Sequence, residues 1–455
     1  MPVLPDFNAA RFEPGAPIDN PFFPLIPGTI FSHGGTDVDP DTGEVIAERN
    51  DFHVTSETKE ILGVTATVVR DTEYVNGVLV EDTVDWHAQD TDGNVWYLGE
   101  LTYAFEYDED GNFVETSTEG SWEAGVDGAQ GGHIMRAEPG FGAGYFQEFA
   151  PGIAEDEAIV VGLDEEVSIG LGEFNGVLQT LDTTALEPDA AEYKYYAPGS
   201  GVVLTESLDE VGEVEFTSEL QGVRTVGDAD LPGAGELDLA NFQGDGSELS
   251  VTFLAETGSF DDAVGAYTLD LATGEFGEAR ILFPQTDALA PGTAATVEVA
   301  AGEALGLFLV PDGANLGLDV SEFEDGGLFF TEFQTGKPAT LGDLLAPLAT
   351  DSDGQVLPVQ AFHALDDNPD DGLNFLNPSA GVQAVELESG AVANDGAAGD
   401  EATVLGFEDL LTTDPSFDGD FNDAVVAVSS APLATDVVDS LLGELGSADS
   451  EAAVV

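Results

Sequence analysis

Short runs rich in Val, Thr, Phe and Tyr recur along the chain, separated by Gly, Asp and Asn. Ala66–Arg70 (ATVVR), Gly77–Asp82 (GVLVED), Asn94–Leu98 (NVWYL), Ser250–Leu254 (SVTFL) and Gly306–Val310 (GLFLV) are representative. Apolar runs this short, bounded by turn formers, are strand signals. Helical periodicity is confined to short pieces, Thr340–Leu348 and the C-terminal tail. The pattern predicts an all-β protein with a short C-terminal helical tail. Asp90-Thr-Asp-Gly-Asn94, Asp108-Glu-Asp-Gly-Asn112, Asp351-Ser-Asp-Gly354 and Asp39-Pro-Asp-Thr-Gly43 read as turns, since Asp-Gly suits hairpin connections.

At 455 residues the chain is long for one core, so two domains or more are expected. Val226–Glu236 (VGDADLPGAGE) is small, polar and turn-forming between two strand-rich stretches. The reading is therefore an antiparallel curved or barrel-like sheet over 1–225, a β-sandwich over 236–430 and a tail over 433–455. Ser389–Asp400 reads as a loop within the second domain. There is no short tandem repeat.

Charge changes the picture most. Ninety Asp and Glu face nine Lys and Arg, a formal charge of −81, yet 42% of residues are hydrophobic and 28 are Phe. Packed cores are affordable, but self-repulsion must be offset by bound cations or salt. A negative surface argues against nucleic acid and anionic membranes as partners. With no Cys, disulfides and thiolate metal sites are excluded. No basic segment followed by an apolar one opens the chain, and no apolar run is long enough for a helical membrane span.

Two stretches carry family resemblances. Asn20-Pro-Phe-Phe-Pro-Leu-Ile-Pro-Gly28, Asp85-Trp-His-Ala-Gln-Asp90, Asn94-Val-Trp-Tyr97, Glu119-Gly-Ser-Trp-Glu-Ala-Gly-Val-Asp127 and Lys194-Tyr-Tyr-Ala-Pro-Gly199 make the N-terminal half resemble an uncharacterised family of exported bacterial proteins. That resemblance implies an architecture only. Val251-Thr-Phe-Leu254, Ala304–Gly313, Gly406-Phe-Glu-Asp-Leu410 and Gly419-Asp-Phe-Asn-Asp423 make the C-terminal half resemble the bacterial domain of unknown function 4114, found in secreted, adhesin-like proteins. It implies a β-sandwich and calcium ligation. The tail, with Val437–Leu445 amphipathic and Glu451-Ala-Ala-Val-Val455 last, resembles the uncleaved signals of bacterial type I secretion substrates, implying a secreted protein.

The densest oxygen-ligand cluster is Asp414-Pro-Ser-Phe-Asp-Gly-Asp-Phe-Asn-Asp423. Hard cations such as Ca²⁺ take six to eight oxygen ligands, and alternate acidic positions around a glycine can wrap one. Val425 stands where an EF-hand has its bidentate Glu, and a strand-like run follows, so this is no EF-hand. Asp414, Asp418, Asp420, Asn422 and Asp423 are the expected metal ligands, with Glu408 and Asp409 completing the shell. Asp366, Asp367, Asn368, Asp370 and Asp371 form a second acidic cluster that reads equally as a metal site or a solvated turn.

No HExxH, GxSxG, P-loop or dinucleotide fingerprint is present, and no catalytic residue is singled out. His133, in Gly131-Gly-His-Ile-Met135, reads as lying on a Gly-rich loop. Three readings follow. The first is a secreted calcium-binding protein with a structural, adhesive or matrix role, its partners being calcium ions and a cell surface, matrix or second copy. The second is an extracellular enzyme or a small-molecule or lipid carrier, with a pocket near Trp86, Trp96 and Trp122. The third is a salt-adapted acidic protein with no specific calcium site.

Overall fold

A computed structural model describes residues 2–38, 43, 45–209, 211–225, 242–258, 260–366, 373–387, 402–411, 414, 417 and 419–452. Almost every element is a β-strand, as the sequence predicts. The chain divides into two compact units, 1–106 with 116–225, and 107–115 with 226–455.

The first unit is one long antiparallel sheet. Thr29–Val38, Val45–Ile61, Val64–Val75, Val78–Gln89 and Val95–Tyr107 pair in chain order. Thr29–Val38 also pairs with Val214–Thr225, and the sheet continues through Gly201–Leu208, Ala191–Ala197, Gly172–Thr184 and Asp156–Ile169. It then curls almost shut. Gly144–Phe146 pairs with Asp156–Ile169, while Glu148–Phe149 pairs with Gln130–Met135, itself paired with Val95–Tyr107. Gln147 alone separates the two edge segments, so one stretch of chain bridges the seam and both sheet edges are covered.

Glycine makes that seam close. A Cβ on Gly132 would lie 2.3 Å from the Gln147 carbonyl oxygen and 2.5 Å from that of Phe146. His133 is therefore on a strand, not a loop. Its ring packs edge-on against Trp96 at 4.4 Å. The three Trp are buried packing residues. Trp96 donates Nε1–H to Asp90 Oδ2 (2.9 Å), Lys59 Nζ sits 3.2 Å over the Trp86 ring, and Trp122 meets Tyr97 edge-on.

The second unit holds a five-stranded sheet (Ala294–Glu298, Glu248–Ala255, Ala424–Ser429, Thr403–Phe407, Ala384–Glu386, in spatial order) and a four-stranded one (Phe276–Phe283, Ala263–Asp270, Glu303–Val310, Phe362–His363). Tyr267 stacks on Phe276 at 4.4 Å beside Phe308, Phe330 and His363. The tail helix Thr435–Ala452 lays Val437, Val438 and Leu441 on Leu254, Val404, Val425 and Ala427. All six residues of Ala424–Ser429 are buried, which explains its unbroken apolar run.

Thr340–Leu348 is not helical. Asp343 accepts from the Thr340 N–H (2.8 Å) and hydroxyl (2.7 Å), closing a turn, and Pro347 has no N–H for a helix. The DxDG turns are as read. Asp90, Asp108 and Asp351 each accept two backbone N–H groups through Oδ1, fixing the turn without a metal. Asp39–Thr42 lie outside the described residues.

Candidate functional site

The acidic loop between Thr403–Phe407 and Ala424–Ser429 belongs to the second unit. Asp409 donates its N–H to Asp423 Oδ2 (3.0 Å), and Glu408 Oε1 accepts from the Phe421 N–H (2.5 Å). Asp420 accepts from the Asn422 N–H (3.2 Å) and side-chain amide (2.5 Å). Phe421, buried between them, has φ +54°, a left-handed conformation uncommon for a bulky residue. The loop thus holds Glu408, Asp409, Asp420, Asn422 and Asp423 together. Asp414 lies on a turn that accepts from Phe417 N–H (3.1 Å) through its carbonyl. Asp366 follows Phe362–His363, in the other sheet. Asp418, Asp367, Asn368, Asp370 and Asp371 lie outside the described residues.

A second loop, absent from the sequence reading, approaches the first. Thr257 donates its hydroxyl to the Asn422 carbonyl at 3.1 Å. A Cβ on Gly258 would lie 2.7 Å from Asp409 Oδ2 and 3.3 Å from Asp423 Oδ1, so the glycine leaves an opening bordered by both carboxylates. Asp262, at the end of this loop, is 0% exposed. Its Oδ1 accepts from the Asp312 N–H (2.9 Å), but Oδ2 has no hydrogen-bond partner among the described residues. Burial, with Asp409, Glu256 and Asp423 nearby, pushes its carboxyl up to about 8. Glu256 is raised by burial as well. Among the described residues no three side chains converge as a ready-made metal cage.

The missed residues had one signal, the acids flanking Glu256-Thr-Gly-Ser-Phe-Asp-Asp262 between two apolar strands. Nothing in sequence distance ties that loop to one some 150 residues later. The antiparallel pairing of Glu248–Ala255 with Ala424–Ser429 does so.

The first unit contains a cavity of about 720 Å³. It does not adjoin the three Trp as the carrier reading expected. Phe23, Phe31, Phe52, His87, Tyr97 and Tyr196 line it, with many carboxylates. Burial pushes Asp85 and Glu73 up to about 7, Glu100 to about 8 and Asp182, beside Lys194, to about 6. These folded-state values lie above the ordinary carboxylate range near 4. Between those limits the folded chain binds more protons than the unfolded one, so its stability falls as pH rises. In EDTA and low salt, the melting temperature is expected to drop between pH 5 and pH 8, counter to ordinary acid denaturation. A pH series of melts checks this.

No family model and no curated protein matches the chain. The likeness of 236–430 to the domain of unknown function 4114 therefore rests on the quoted residues alone. Among solved structures, a Bacteroides fragilis protein described as exported, with a YmcC-like fold, is 17% identical and is covered over 99% of its length by 45% of this chain, at a TM-score of 0.27. A Parabacteroides distasonis protein described as a lipoprotein is 12% identical, with 45% of this chain covering 98% of it at a TM-score of 0.24. Likeness at this level says nothing of what this chain binds.

Proposed function

We propose that this chain is an exported calcium-binding protein with a structural or adhesive role, in which Ca²⁺ stabilises the second unit. The supporting observation is Asp262, a fully buried carboxylate with an oxygen that has no hydrogen-bond partner among the described residues. A buried carboxylate without compensation is costly, and a divalent cation compensates several at once. Asp262, Glu256, Asp409 and Asp423, which form no cage as they stand, would have to draw together around the ion, with Asp420 and Asp418 from the acidic loop. The ion supplies the positive charge that lets these groups ionise together. The carbonyl and hydroxyl oxygens at Asn422 and Thr257 hold the two loops beside each other.

Calcium is scarce inside cells and plentiful outside. Carboxylate repulsion would keep the second unit loose during export, through a C-terminal type I signal, and calcium would let it fold afterwards. The surface, matrix or second copy that it contacts would meet the folded, loaded form. Calorimetric titration of the full chain tests the site. Asp423→Asn is expected to weaken calcium binding by at least about tenfold, because ligand charge sets affinity. Asp353→Asn, in an exposed turn, should not. Equal affinities in all three proteins would contradict the reading.

A further inference from the structure

The cavity of the first unit has a charge pattern unlike that of an apolar carrier. Its walls carry nine carboxylates and two cationic side chains, Arg49 and Lys194. Both cations are already engaged. Arg49 pairs with Asp51 (2.7 Å), and Lys194 with Glu192 (2.8 Å). The inward faces alternate regularly. Asp71 and Glu73 project from one strand, and Glu81, Thr83, Asp85 and His87 from the next. Period-two acids on neighbouring strands spread carboxyl groups over the wall.

Several of these groups lack what they need. Tyr97 Oη lies 2.6 Å from Asp85 Oδ1 and 2.9 Å from Glu100 Oε2. One hydroxyl has one proton, so the second contact requires a protonated carboxyl. Glu148 faces Glu100 and lies beside Asp156 and Trp122, is 7% exposed, and its Oε2 has no partner of good hydrogen-bond geometry among the described residues. His87, 3% exposed, likewise has no partner for Nδ1. Burial holds this imidazole far below its ordinary value, so it is neutral at physiological pH. Buried acceptors of this kind call for N–H donors bearing positive charge. Beside them lie apolar and aromatic faces. His87 stacks on Tyr97 at 4.9 Å, and Phe23 packs against His87 at 5.6 Å and Tyr196 at 6.4 Å.

We propose that this cavity binds an organic polycation of the aliphatic di- or polyamine class, its ammonium groups meeting the wall carboxylates and its methylene segments lying on the aromatic faces. The spread of carboxylates over several strands favours separated positive charges over one compact ion. Aromatic faces favour ammonium groups and methylenes alike. An acidic lipid, whose headgroup would face nine carboxylates, is disfavoured. The site is independent of the calcium reading, since all its residues lie in the first unit.

The test is calorimetric titration of the full chain with spermidine, putrescine, n-butylamine and MgCl₂. Millimolar calcium keeps the second unit loaded, and about 0.15 M NaCl screens diffuse surface attraction. Spermidine should bind saturably at one equivalent, more tightly than n-butylamine and without displacement by equimolar Mg²⁺. Asp85→Asn and Glu148→Gln, neutral near-isosteres on different strands, should each weaken it by at least about tenfold. Glu173→Gln, an exposed change of equal charge, should leave it unaltered. Melts in the same buffer establish that the variants are folded, and either folded variant suffices. The proposal is overturned if no di- or polyamine saturates. It is equally overturned if binding survives in a folded cavity variant, or if Mg²⁺ competes equally, since either marks adventitious attraction to an acidic surface.

Discussion

Asp262→Asn is expected to make the calcium-free protein more stable at pH 8 and to remove most of its response to calcium. The direction is unusual for a buried substitution, because most such changes destabilise. Here the native carboxyl is fully buried, with one oxygen unpartnered among the described residues and other acids close by. With its carboxyl pushed up to about 8, it is about half ionised at pH 8, and the cost of ionising it in place opposes folding. An asparagine of the same shape carries no charge and brings an N–H₂ that the neighbouring carboxylates can accept. The gain in EDTA should be about 2 kcal/mol, the usual scale for an uncompensated buried polar group. For a unit of this size that is a rise of about 4–8 °C in melting temperature. In millimolar calcium the order should reverse, the native protein melting higher. If the variant melts lower in EDTA, Asp262 is already compensated within the chain.

Gly132→Val should have the largest effect on the first unit. The added Cβ would meet backbone oxygens at the seam, not the far end of a flexible side chain. Accommodation would require Gln147 and the edge segments to move apart, opening the sheet at its only bridging stretch among the described residues. Overpacking and lost pairing together should cost about 3 kcal/mol or more. Thermal melts and near-ultraviolet dichroism, which reports on the buried Trp96 beside His133, would register it. Gly140→Ala, where a Cβ meets nothing within 4 Å, is the matched control. Equal stability of the two variants would mean that the seam does not hold the sheet.

The architecture was legible because strand and turn signals are local. The runs at Val64–Val75 and Val78–Gln89 alternate visibly, and the Asp-Gly turns depend only on their own four or five residues. The tail helix was legible for the same reason. Thr340–Leu348 misled because Thr, Asp and Pro there favour a capped turn over the helix that its apolar spacing suggests. The candidate sites were harder. Asp71, Glu73, Glu81 and Asp85 look like a solvated strand face, and only closure of the sheet turns that face inward. Asp409 and Asp423 enter the candidate site from acid density in the sequence. Asp262 was not, because its importance comes from burial and from a loop brought near by sheet pairing.

The most direct test of the calcium account is a thermal melt of the full chain in EDTA, in millimolar CaCl₂, and in MgCl₂ and NaCl matched for ionic strength. An ion that binds the native state preferentially raises its stability by mass action. The account predicts a rise specific to calcium of about 5 °C or more. Equal rises in all three salts would contradict it, and would assign the −81 charge to salt adaptation with no calcium site.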